Sequence, residues 1–217
     1  MFKEVKALIL KDLKLEWRQK YALNGILLYV ISTVFLCYLS FKHVDPITWL
    51  ALFWIIMLFT SVNAVAKSFL QESKGRMLYY YSIASSQSVI LSKLIYNILL
   101  MLVLSVICLG FYHVVMGNPL ENKLLFTVAL ILGSSGLASS FTMVSAIASK
   151  ANNNTTLLAV LSFPIIIPLL VMLIAVSKNA MIGNPWMQSM DELITLLAIN
   201  AIIVTVSYIL FPYLWRE

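Results

Sequence analysis

Charged residues are so sparse along this chain that its pattern is read from the gaps between them. Six stretches hold no Asp, Glu, Lys or Arg: 21–41, 46–66, 94–120, 124–149, 151–177 and 193–215. Each is 21 to 27 residues long. A helix needs roughly 20 apolar residues to cross the hydrocarbon of a bilayer, so each stretch suffices for one crossing and none for two. The pattern predicts six transmembrane helices, at about 21–41, 46–66, 94–115, 124–149, 156–177 and 193–213. What remains is an N-terminal segment, 1–20, one sizeable loop, 67–93, and short connectors. In 1–20, Phe2, Val5, Ile9, Leu13 and Trp17 recur at helical spacing as one apolar stripe, although Lys6 and Glu16 fall in the same arc. The segment reads as an amphipathic helix lying along the inner leaflet, with Trp17 at headgroup depth and its lysines toward anionic lipid.

Composition sharpens the picture by exclusion. The chain of 217 residues is 61% apolar and 11% charged, where soluble domains carry about 25% charged residues. Six spans leave no room for a catalytic, nucleotide-binding or nucleic-acid-binding domain. No Asp, Glu, Lys or Arg falls inside a predicted span, which counts against an autonomous proton- or ion-coupled carrier. No Walker A sequence is present, and no His-Glu-x-x-His motif. The chain is therefore expected to be no enzyme and to bind no metal. Any ATP must be hydrolysed on another chain.

The net charge of +6 is a topology signal. Twelve Lys and Arg lie in 1–20, in the loop after the second span, after the fourth span and at the C-terminus, against Lys42, Lys123 and Lys178 in the alternate connectors. Positive residues gather on the cytoplasmic side. Both termini and the 67–93 loop are thus expected in the cytoplasm, in a multi-pass membrane protein.

Few residues suggest chemistry. Cys37 and Cys108 show no Cys-x-x-Cys pairing and read as small buried hydrophobes. His43 and His113, the only histidines, fall at similar depth on the outer side, as a bis-histidine haem site would require. Interfacial histidines without a ligand are the commoner case, and the haem role is the lesser alternative. Small residues in the fourth span, Gly133, Gly136 and Ser139 among them, let another helix approach closely, and serine hydroxyls can bond across such a contact. Pro164 and Pro168 in the fifth span each remove a backbone hydrogen bond and kink the helix, as a hinge or as a static bend.

The loop at 67–93 is the most informative segment. The second span can continue to about Lys74, with Gly75 as a stop. Arg76 to Tyr81 can form a short helix, and Ser85 or Ser86 can cap the next one. Met77, Leu78 and the run Tyr79, Tyr80, Tyr81 are too apolar for an idle wet loop and suit a protein interface. The bland alternative places these tyrosines in the inner interfacial belt.

Three stretches carry a resemblance to a known family: Lys11 to Arg18, the loop from Phe69 to Lys93, and Gly136 to Thr142 running on to Phe163 and Pro168. In this order, and with six spans, the chain resembles the B subunit of the cytochrome c maturation system, the haem exporter B permease. The resemblance implies an ABC-2-type permease with both termini inside and a cytoplasmic coupling helix between spans two and three. It implies an ABC ATPase partner, other cytochrome c maturation membrane subunits, a second copy of the chain, and haem as the substrate of the complex. The ATPase-coupling residues would be Glu72, Gly75, Arg76, Met77, Leu78, Tyr79, Tyr80 and Tyr81. Family members often carry an acidic residue shortly after the loop glycine, where this chain has tyrosines. Two further readings stand beside this one: an ABC-2 exporter permease for another amphipathic substrate, lipid or drug, and a membrane haem scaffold with no ATPase.

Overall fold

In a computed structural model the described residues are 2–18, 20–41, 44–66, 68–69, 84–150 and 154–216. Among them are seven α-helices: α1 (Phe2–Arg18), α2 (Lys20–Ser40), α3 (Pro46–Ala64), α4 (Ser86–Met116), α5 (Lys123–Ala148), α6 (Asn154–Ile182) and α7 (Met190–Arg216), with a 3-10 turn at Trp186–Ser189. Helices α2 to α7 are long and apolar enough to cross a membrane. The protein is an all-α integral membrane protein.

Three of the helices start where a polar side chain takes up a free backbone N–H group. Asp45 caps α3 through the Thr48 amide, with Pro46 opening the first turn. Ser85 caps α4 through Ser88, and Asn122 caps α5 through Leu125. These are the residue types whose short oxygen-bearing side chains reach the first-turn amides. Gly117, at φ 78°, ends α4 in a conformation that L side chains rarely adopt.

Helix α5 is the axis of the bundle. Of its apolar window 67% is buried, against at most 44% in any other span. Small residues make that possible. A Cβ added to Gly133 would lie 2.6 Å from Cη2 of Trp54, and one added to Gly136 would lie 2.6 Å from Cδ1 of Leu169. So α3, α6 and α7 can close on α5 without a gap. Polar bonds then fix the contacts. Trp54 Nε1 donates to Ser177 Oγ (3.1 Å), Asn97 Nδ2 to Thr142 Oγ1 (2.8 Å), and Asn200 Nδ2 to the Leu132 carbonyl (3.2 Å). The serines of α5 mostly turn inward on their own helix. Ser134, Ser139 and Ser140 donate to carbonyls three or four residues back, and Ser135 alone of this group also reaches another helix, at Asn200. Pro164 and Pro168 stand on an exposed face of α6, which runs on through both.

Two expectations are corrected. The second span was expected to continue to about Lys74, yet α3 ends at Ala64. The cause lies at Phe69, whose amide donates to Ser145 Oγ at 3.2 Å instead of to a carbonyl of its own helix. The apolar stripe of α1 is also turned. Phe2 and Leu13 are exposed, while Val5 and Asp12 are buried and Leu8 is partly so. The buried face follows the partner helix α4 and not the hydrophobic periodicity.

Candidate functional site

At one end of the bundle, here the basal end, the two described flanks of segment 70–83 enter a core of their own. Phe69, Val89, Ile90, Leu94, Ala146 and Phe211 form it, with Leu8 and Ala84 packed alongside. It is separate from the main core of the bundle. Its members come from α1, α4, α5 and α7 and from both sides of the segment. The Phe69 ring packs on Phe211 at 5.4 Å between centroids. With its amide held by Ser145, Phe69 touches both α5 and α7.

Helix α1 is clamped to this core by its acids. Glu4 Oε2 accepts from the Ser85 amide (3.3 Å) and the Ser85 hydroxyl (3.1 Å). Asp12 Oδ2 lies 3.2 Å from Lys93 Nζ, and both residues are only 7% exposed. Glu16 reaches the neighbourhood of Tyr96. Contacts therefore step along both helices in the same direction, 4 to 85, 12 to 93 and 16 to 96, so α1 runs parallel to the first turns of α4. The Ser88 hydroxyl and the Ser85 amide and hydroxyl hold the Glu4 carboxyl down at about 2, in favour of its charged form. Lys93 also stands 6.0 Å above the Phe69 ring, within cation–π range. One ammonium thus joins α1, α4 and the start of segment 70–83.

The opposite, distal end is an aromatic block. Trp49, Phe53, Trp54, Tyr112 and Phe126 pack with centroids 4.7 to 6.5 Å apart. Tyr112 donates to the Trp49 carbonyl at 3.0 Å, and Trp49 Nε1 to the Gly117 carbonyl at 3.2 Å. His113 stacks on Trp49 at 5.6 Å, and its Nε2 is buried with no hydrogen-bond partner. The residue as a whole is half-buried. Beside it, Asn179, Asn184, Ser189 and Asn122 bond to one another and shorten the last connector to the 3-10 turn. Cys37 and Cys108 are free and buried. Among the described residues no cluster of three His, Cys, Asp or Glu could hold a metal ion.

Glu72, Gly75, Arg76, Met77, Leu78, Tyr79, Tyr80 and Tyr81, and also His43, lie outside the described residues. Gly133, Gly136 and Ser139 line the α5 contacts, away from the basal core, and Pro164 and Pro168 lie apart on α6. Sequence reasoning missed Phe69, Asp12 and Lys93 as a unit. The available signal was a lone lysine at the foot of the longest helix, opposite acids spaced along one face of α1.

The basal core thus ties both described flanks of segment 70–83 to α1, α4, α5 and α7, in a chain whose described residues hold no catalytic constellation. The family model described as CcmB protein matches residues 3–212. The chain belongs to the CcmB family. Membership makes it a haem-exporter permease component for cytochrome c maturation, a transporter subunit and not itself an enzyme. Proteins of the CcmB family are part of the CcmABCD haem exporter complex. No curated protein and no solved structure matches the chain significantly.

Proposed function

We propose that this CcmB chain converts ATP hydrolysis on a partner ABC ATPase into movement of its spans, and so supports a haem-related step on the outer side of the bacterial inner membrane. Both termini and segment 70–83 face the cytoplasm. Arg76, Met77, Leu78, Tyr79 and Tyr80 occupy a cleft on the ATPase, flanked by Glu72, Gly75 and Tyr81. When an ATPase pair closes on ATP, the segment is displaced, and a second copy of the chain completes the permease beside the other maturation subunits.

The observation that carries this reading is the basal core itself. Phe69 and Ala84 bracket the segment and pack with α1, α4, α5 and α7 in one cluster. A push on the segment is therefore delivered to three spans at once, and not dissipated in a loose loop. Close-packed contacts transmit such displacement because interiors have low compressibility. The bonded distal block would turn that displacement into a rigid movement of the outer end. Haem ligation is assigned to no residue of this chain.

The test is assembly. Leu78→Ala combined with Tyr79→Ala leaves the spans untouched and removes the proposed anchors, so ATPase copurification and holocytochrome c should fall together. Loss of cytochrome c with full ATPase retention would instead place the segment's role elsewhere in the complex.

A further inference from the structure

Helix α1 is electrically divided. At about 100° per residue, Glu4, Asp12 and Glu16 share one arc, and it is the arc that meets α4 through Ser85, Lys93 and Tyr96. Lys3, Lys6, Lys11, Lys14 and Arg18 fall on the opposite arc, and all but the half-buried Lys11 are exposed. Among them Lys11 touches Asp12 at 2.9 Å. On the same outward side Ala7, Leu10, Lys11, Lys14, Leu15 and Arg18 line an open groove of about 430 Å³. The groove is thus apolar along its wall and cationic along its rim.

Its depth relative to a bilayer is fixed by the chain. Helix α2 starts at Lys20 and is 21 residues long, about 31 Å, which matches a hydrocarbon core of about 30 Å. Arg18, two residues before that helix, therefore sits at headgroup level, with Lys14 one turn further out. We propose that this groove is a binding site for an anionic phospholipid. Its phosphate is held by Lys14 and Arg18, with Lys11 beyond them, and its acyl chains pass Arg18 into the hydrocarbon beside α2. The occupant is a lipid and not an acidic protein because Arg18 and Lys14, both exposed, stand at headgroup depth, where an anionic phosphate is the group at hand. The site does not depend on the proposed coupling role of segment 70–83.

The test is lipid retention by the full-length purified chain. Phosphatidylglycerol and phosphatidylcholine of matched acyl chains are presented in equal amounts, and bound lipid is counted by native mass spectrometry. The wild type should prefer phosphatidylglycerol, and each neutralised basic side chain should remove about fivefold of that preference. Lys14→Gln with Arg18→Gln, which leaves Lys11 and Asp12 in place, should lose roughly twenty- to thirtyfold. The control Lys123→Gln with Lys178→Gln, at the distal end, should lose none. Equal retention of the two lipids by the wild type would overturn the proposal, as would undiminished preference in the double variant. A variant that keeps its lipid preference but loses a copurified protein would assign the groove to a protein partner instead.

Discussion

The Asp12 carboxylate and the Lys93 ammonium meet at 3.2 Å between α1 and α4, in a place where each residue is 7% exposed. Two charges withdrawn from water in this way depend on each other. Their attraction offsets a desolvation cost of several kcal/mol per ion, so a partner left alone is expensive. Lys93 further covers the Phe69 ring, which links this pair to the segment proposed to meet the ATPase.

Removing the carboxylate alone should therefore cost more than removing both charges. Asp12→Leu alone is expected to destabilise by about 3–5 kcal/mol, Lys93→Met by less because Lys11 still reaches Asp12 at 2.9 Å, and the double variant by less than Asp12→Leu. Thermal unfolding of the purified protein in detergent checks this. Equal loss in single and double variants would mean that the pair is not coupled.

Docking of α1 should depend on acid. Glu4 is held at about 2 by Ser88 and Ser85, below its ordinary value of 4.5. A lowered carboxyl favours the docked state fully above that ordinary value, and the contribution disappears as pH falls from about 4.5 toward 2. Amide protection of α1 in hydrogen exchange should drop across that window. In Glu4→Gln it should be lower at neutral pH and flat with acid.

Gly133 and Gly136 on α5 should respond to alanine oppositely from Gly25 and Gly110. In Gly133→Ala the new methyl meets Trp54 at 2.6 Å and Leu173 at 2.8 Å, and such overpacking costs about 1–3 kcal/mol. Gly136→Ala should behave similarly, against Leu169. Gly25 and Gly110 have nothing within 4 Å of an added Cβ. There alanine should be neutral or stabilise by up to about 1 kcal/mol, through helix propensity. Melting temperatures of the four variants decide it.

Membrane orientation is checked by single cysteines. With the termini inside, an impermeant thiol reagent on intact cells should modify Trp186→Cys and spare Gly75→Cys. Modification at position 75 but not 186 would invert the topology.

The spans were legible because charge is excluded from the apolar interior of a bilayer, so gaps between charged residues mark them directly. Ser85 was legible as a cap for a local reason: its side chain reaches an amide three residues on. The rest depended on partners distant in sequence. The buried face of α1 is set by Ser85 and Lys93, some 80 residues away, and a periodicity of apolar residues gives no weight to Asp12. Phe69 looked like the continuation of a helix because nothing local announces that Ser145 will take its amide. Asn200 passes unmarked in a scan for charge, yet it ties α7 to α5. The tyrosine-rich segment was read only from its composition, and it lies outside the described residues.

Whether segment 70–83 is the element that meets the ATPase is decided by the Leu78→Ala, Tyr79→Ala variant. Truncating an interface anchor commonly costs about 2 kcal/mol or more, and a loss of that order weakens assembly roughly thirtyfold, at 1.4 kcal/mol per factor of ten. The measurement is the amount of ATPase copurifying with the membrane-inserted variant, read alongside holocytochrome c in the same cells. The expected result is that both fall together while insertion is unchanged. Full ATPase copurification with full cytochrome c maturation would contradict the coupling role.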